Sequence, residues 1–210
     1  MTTKKNLKLF FDTEKEELKL IEKYEENISF FNDLLKNGHK EDIEFVIPIK
    51  IYKYADSLQK QGYYTKAFKV LNEIERDLEK LRGRSKWHEM YLEGVVFLKG
   101  VCLGRSRKYK DSNKYFKQLL EKKTTNDNFI SWYKSNKQYQ IEEISNFIVI
   151  VAMSIFLMGF ILNVTNITTY KIPVIIETTS FIIGGITYIS SYFWKRIIKK
   201  AKWRTPNKRL

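Results

Sequence analysis

Residues 147–164 read FIVIVAMSIFLMGFILNV, without a charge and with only Ser154 and Asn163 breaking the apolar run. Eighteen helical residues span roughly 27 Å, close to a bilayer hydrocarbon core of about 30 Å. Residues 173–194 read PVIIETTSFIIGGITYISSYFW and carry one charge, Glu177. Pro173 suits a first helical turn. Tyr188, Tyr192, Phe193 and Trp194 gather at the far end, where a membrane–water boundary favours aromatic rings. The competing reading is a pair of buried core helices. A 210-residue chain leaves too little mass to surround two helices that are apolar on nearly every side. Two membrane spans are therefore expected.

The distribution of charge orients them. Of the formal net charge of +14, residues 1–146 hold 29 basic and 23 acidic side chains, and residues 195–210 hold eight basic ones and no acid. Lys195, Arg196, Lys199, Lys200, Lys202 and Arg204 follow the second span directly. Basic flanks stay cytoplasmic, so both termini are expected in the cytoplasm of a multi-pass inner-membrane protein. The tail, with Ile197, Ile198 and Trp203 among its lysines, also suits an anionic lipid surface. Residues 1–17 turn acidic before any apolar stretch accumulates, which argues against a signal peptide. Two glycosylation patterns begin at Asn163 and Asn166, too near the spans to weigh. Direct nucleic-acid binding is not expected, because Lys and Glu alternate along solvated helix faces.

The resulting organisation is an N-terminal segment (1–12), a cytoplasmic helical domain (13–146), a first span (147–164), a short external loop (165–172), a second span (173–194) and a basic cytoplasmic tail (195–210). Strong helix formers fill the domain, so the fold is expected to be all-α, with about six helices ahead of the hairpin. Thr13-x-x-Glu16 is a capping-box pattern, and Leu18, Ile21, Tyr24, Ile28, Phe31 and Leu35 recur at helical spacing up to Asn37-Gly38. A second helix runs from near Lys40 to Gly62 with a bend or break at Pro48. Further helices are expected over 65–81, 87–103 and 111–123. A last one starts near Asn128 and meets no Gly or Pro before Gly159, so it can continue into the first span.

One pattern occurs twice. Ala55, Leu58, Gly62, Tyr64 and Ala67 are followed 45 residues later by Gly100, Leu103, Tyr109 and Ser112, with Phe116 beyond. This resembles the tetratricopeptide repeat, over roughly residues 48–122. The resemblance implies small residues where paired helices cross (Ala55 and Ala67, then Gly100 and Ser112). It also implies an aromatic after the turn, at Tyr64 and Tyr109, and packing residues at Leu71, Ile74, Phe116 and Leu119. It further implies a concave surface for protein segments. The period exceeds that family's, Arg107 stands at the turn glycine, and Glu79 replaces the closing proline. A plain six-helix bundle accounts for the same periodicity.

No catalytic constellation, cofactor fingerprint or metal-ligand spacing stands out. His39 and His88 read as loop or capping residues, and Cys102 as a small core residue. No enzymatic activity, cofactor or metal is expected. Glu177, Ser180, Gly184, Thr187 and Ser191 are spaced 3, 4, 3 and 4 apart, on one face of the second span. Two arrangements are open. The stripe packs on the first span, near Ala152 and Gly159, or several copies turn it inward to line a wet, cation-favouring path.

The architecture resembles the two-span effectors of bacterial anti-phage systems, both retron-associated and cyclic-nucleotide types. That resemblance implies a homo-oligomeric toxin that perturbs the inner membrane in abortive infection. Its cytoplasmic head would be restrained by a protein or ribonucleoprotein partner. The alternative is a non-toxic, membrane-anchored adaptor that recruits a cytoplasmic protein through a repeat-like groove.

Overall fold

The structure is a computed structural model that describes residues 4–83, 85–122, 126–165 and 171–200. Among them the chain is all-α, without a strand. The helices are α1 (Lys4–Thr13), α2 (Glu17–Glu26), α3 (Ile28–Asn37), α4 (Lys40–Ile49), α5 (Asp56–Lys60), α6 (Tyr64–Leu78), α7 (His88–Arg105), α8 (Tyr109–Lys122), α9 (Asp127–Val164) and α10 (Lys171–Lys200). Two compact units divide between Trp132 and Tyr133, inside α9.

The first unit corrects the expected opening helix. The single helix expected from Thr13 to Asn37 is two, α2 and α3, and the segment ahead of it forms a helix of its own, α1. Thr13 ends α1 and caps nothing after it: its hydroxyl donates to Leu9 O at 2.8 Å. The turn is held instead by Glu14, whose Oε1 accepts the Lys15 and Glu16 amides at 2.8 and 2.9 Å. Those two backbone bonds, Glu16 first, hold the Glu14 carboxyl below its ordinary pKa. A second break falls at Asn27, whose side chain donates to Lys23 O at 2.9 Å and so competes with the helix ladder. Leu18 and Ile28, which share the helical spacing of Ile21 and Tyr24, are 47% and 43% exposed. The breaks rotate α2 and α3 so that Leu20, Ile21, Tyr24, Phe31, Leu34 and Leu35 face inward.

Pro48 lies inside α4, and the chain stays helical beyond it. Proline lacks the N–H its turn needs and its ring crowds the preceding carbonyl. The six residues Lys50–Ala55 continue as a wider π-helical segment before α5. Tyr54, on that segment, stacks on Tyr24 at 4.1 Å, and Tyr24 stacks on Phe31 at 4.7 Å. These rings, with Phe11, Ile43, Ile47, Ile51, Leu58, Leu71 and Ile74, form the core of the unit.

The 45-residue spacing has a counterpart in backbone geometry. Gly62 has φ +85°, and Arg107, 45 residues later, has φ +61°, the only positive φ at a non-glycine among the described residues. At the first turn Gly62 N–H donates to Gln59 O and Tyr63 N–H to Leu58 O, at 3.2 and 2.9 Å. At the second, Arg107 N–H donates to Gly104 O and Lys108 N–H to Leu103 O, at 3.0 and 2.9 Å. Each is a left-handed cap in which two amides close back on the last helical carbonyls. Ala55, Leu58 and Ala67 are fully buried, with Tyr64 packed on the core. In the second set Gly100 lies against Phe116, where a Cβ would stand 2.9 Å from Phe116 Cζ. Ser112 donates to Gly100 O at 2.6 Å. Leu103 and Tyr109 are half-buried beside them. The two helix-turn-helix units are thus alike in the turn.

Candidate membrane hairpin

α9 and α10 are long and apolar enough to cross a membrane. The most apolar eighteen-residue windows within 127–162 and 174–198 have mean hydropathies of 2.4 and 1.3. Only 17% and 11% of those windows are buried, whereas a core helix of a soluble protein is mostly covered. Phe147, Met153, Met158, Phe181 and Tyr188 are all at least 65% exposed. Apolar side chains exposed in such density suit a lipid environment rather than water.

The helices pack on one another through the predicted stripe. On α10 the least exposed described positions run Glu177, Ser180, Gly184, Thr187, Ser191, Lys195 and Ile198, with Val174 and Ile176 beside them at its start. On α9 the facing positions include Ser145, Ala152 and Gly159, all buried. A Cβ on Gly159 would stand 3.1 Å from Ile176 Cγ2 and 3.2 Å from Glu177 Cγ. One on Gly184 would stand 3.6 Å from Ala152 Cβ. Partner positions fall along α9 as they rise along α10, so the pair is antiparallel. Without a hydrophobic drive in lipid, such close approach by Gly, Ala and Ser supplies the van der Waals contact that joins helices. Of the two arrangements open in the sequence, this contact corresponds to the stripe packed on the first span. Beside Ser180, Gly184 and Gly185 the contact leaves an apolar cleft of about 370 Å³, walled by Val149, Ala152, Met153, Phe156 and Phe181.

Polar groups meet at the end of the hairpin nearer residue 200. Lys195 Nζ lies 3.2 Å from a Glu142 carboxylate oxygen. Gln138 Nε2 donates to Lys195 O at 3.4 Å. Glu142 escaped the sequence reading, although its place just ahead of the apolar run, opposite a basic flank, was a usable signal. Nearer the opposite end, Glu177 Oε1 is enclosed with no hydrogen-bond partner among the described residues. Of the basic flank, Arg196 and Lys200 are exposed, while Lys202 and Arg204 lie outside the described residues, as does the side chain of Lys199.

The residues weighed as chemical candidates take these places. His39 precedes α4 as its N-cap, without a side-chain capping bond. His88 is buried, its Nδ1 3.4 Å from Glu89 and its Nε2 enclosed with no partner among the described residues. Cys102 is 1% exposed, and burial pushes its thiol up to about 12. No protein-family model, curated protein or solved structure matches the chain.

Proposed function

We propose that this is a two-span membrane protein that holds a helical interaction domain at the cytoplasmic face, an anchor and adaptor rather than a catalyst. The observation that carries this is the closed hairpin. Small and polar residues meet between its helices, and its remaining surface is mostly apolar, as an anchor requires. The basic flank from Lys195 onward supports placing both chain ends in the cytoplasm. A cleft of about 410 Å³ beside α7 and α8 supports a protein partner. Trp87 and Met90, 43% and 45% exposed, stand at it beside Lys86, Glu93 and Lys122. Exposed aromatic and methionine side chains are enriched in protein interfaces.

A second reading keeps the membrane-perturbing effector of an anti-phage system. It is favoured by Glu177, whose enclosed, unsatisfied oxygen costs free energy in the closed hairpin and is relieved wherever water or a second copy reaches it. In that reading the hairpin opens, copies associate, and the stripe meets water.

One experiment separates them. In a Cys102→Ser background, cysteines replacing Ala152 and Gly184 lie at a Cβ separation suited to a disulfide. For the adaptor, the full chain resists alkaline carbonate extraction, and its induction leaves growth and membrane voltage unchanged, locked or unlocked. For the effector, induction depolarises the cell, and the locked hairpin does not. Release of the intact protein by carbonate removes both.

A further inference from the structure

We propose that a depression between α3, the π-helical segment and α6 binds a phosphoryl oxyanion. Its volume is about 420 Å³, and Lys36, Lys50, Glu73, Arg76, Asp77 and Lys80 line it. This site is independent of the membrane reading.

Lys50 carries the argument. It opens the widened turn that follows Pro48, and its side chain is 6% exposed. Its nearest carboxylates are Glu73 at 3.5 Å and Asp77 at 3.9 Å. A charge-assisted N–H···O bond is closer to about 2.8 Å. An ammonium offers three donors, and a buried one ordinarily has them filled at short range. Here the lysine stands on the wall of a cavity with its acids held at arm's length.

The surrounding charges define the ligand. Lys80 is already engaged, donating to Leu35 O at 3.2 Å and to Asp77 at 3.1 Å. Lys50 and Lys80 therefore balance the two carboxylates. Lys36 and Arg76 stand at the cavity with no acidic partner among the described residues, leaving a surplus of two positive charges. A phosphate monoester carries about −1.5 to −2 at neutral pH and accepts hydrogen bonds at three oxygens. The planar fork of Arg76 suits two of them, and the Lys50 ammonium suits the third.

The test uses the full chain in a maltoside detergent, titrated calorimetrically with inorganic phosphate at constant ionic strength. One saturable site per chain is expected. The double variant Lys36→Ala/Arg76→Ala, at two exposed positions, should melt as wild type does and bind phosphate at least tenfold more weakly. Lys50→Met should abolish binding; should it fail to fold, the double variant carries the test alone. Nanodiscs with and without phosphatidic acid distinguish the source. Weaker phosphate binding only where phosphatidic acid is present assigns the site to a lipid headgroup, and equal binding assigns it to a soluble phosphate ester. Absence of saturable binding in wild type, or unchanged affinity in the double variant, overturns the proposal.

Discussion

Replacing Arg107 by glycine should stabilise the helical head, and the magnitude follows from the geometry of its turn. Arg107 is held at φ +61°, where an L side chain costs about 1–2 kcal/mol. Glycine escapes that cost but loses more freedom on folding, a penalty of about 0.4–1 kcal/mol. The net gain is about 0.5–1 kcal/mol, which for a unit of this size raises the melting temperature by roughly 2–5 °C. The side chain is exposed, with no ion pair or side-chain hydrogen bond among the described residues, so its removal forfeits little. The equivalent turn supplies the reverse experiment. A methyl group on Gly62 meets nothing within 4 Å, so Gly62→Ala isolates backbone strain and should cost about the same amount. Arg107→Ala, which keeps an L-residue at positive φ, should be nearly neutral, and Arg107→Asn should fall between. Urea unfolding of the full chain in detergent, followed by near-ultraviolet circular dichroism, reads all four. A neutral or destabilising Arg107→Gly beside a destabilising Gly62→Ala would show that the two turns are not energetic equivalents.

Other outcomes follow from single contacts. Gly100→Ala should destabilise the head by about 1–3 kcal/mol in the same assay, because its methyl would meet the Phe116 ring at 2.9 Å. Ser112→Ala should cost about 1 kcal/mol for its buried 2.6 Å bond. The Cys102 thiol, pushed up to about 12 by burial, should resist a disulfide reagent at pH 8 in the native protein and react as a single thiol in denaturant. Glu25 accepts from Lys66 at 2.7 Å and from Tyr54 at 2.9 Å. The lysine bond, ahead of the tyrosine bond and against desolvation, holds its carboxyl below the ordinary value. A depressed carboxylate stabilises the fold above its unfolded pKa and loses that contribution as pH falls through the folded one. Glu25→Gln should therefore lower stability by roughly 0.5 kcal/mol at pH 7, after allowance for solvent screening, with the difference fading below pH 4.

Much of the architecture was legible in residue order, for identifiable reasons. Gly38, Gly62 and Gly83 mark helix ends, and all three adopt positive φ, the conformation only glycine takes cheaply. The stripe from Glu177 to Ser191 was legible because a 3–4 spacing is a purely helical property, and its members are among the less exposed positions of α10. The breaks at Asn27 and between Thr13 and Glu17 were hidden. Each depends on which backbone groups a polar side chain captures: Thr13 turns back to Leu9 O, while Glu14 takes the Lys15 amide ahead of it. The π-helical segment was hidden too, since Pro48 announces a disturbance without specifying whether the helix stops or widens. Arg107 is the clearest case. Its left-handed backbone contradicts its own preference and is imposed by the turn that ends α7.

The middle of the antiparallel pair and its charged end answer to different physics. Between Ala152 and Gly184 the hold is contact between neutral atoms, indifferent to ionic strength. Between Glu142 and Lys195 it is Coulombic attraction between partly exposed charges, which dissolved salt weakens. The pair is therefore a seam with one fastener that ions can loosen and one that they cannot. Whatever fraying occurs under rising electrolyte should begin at the charged mouth and halt at the glycine.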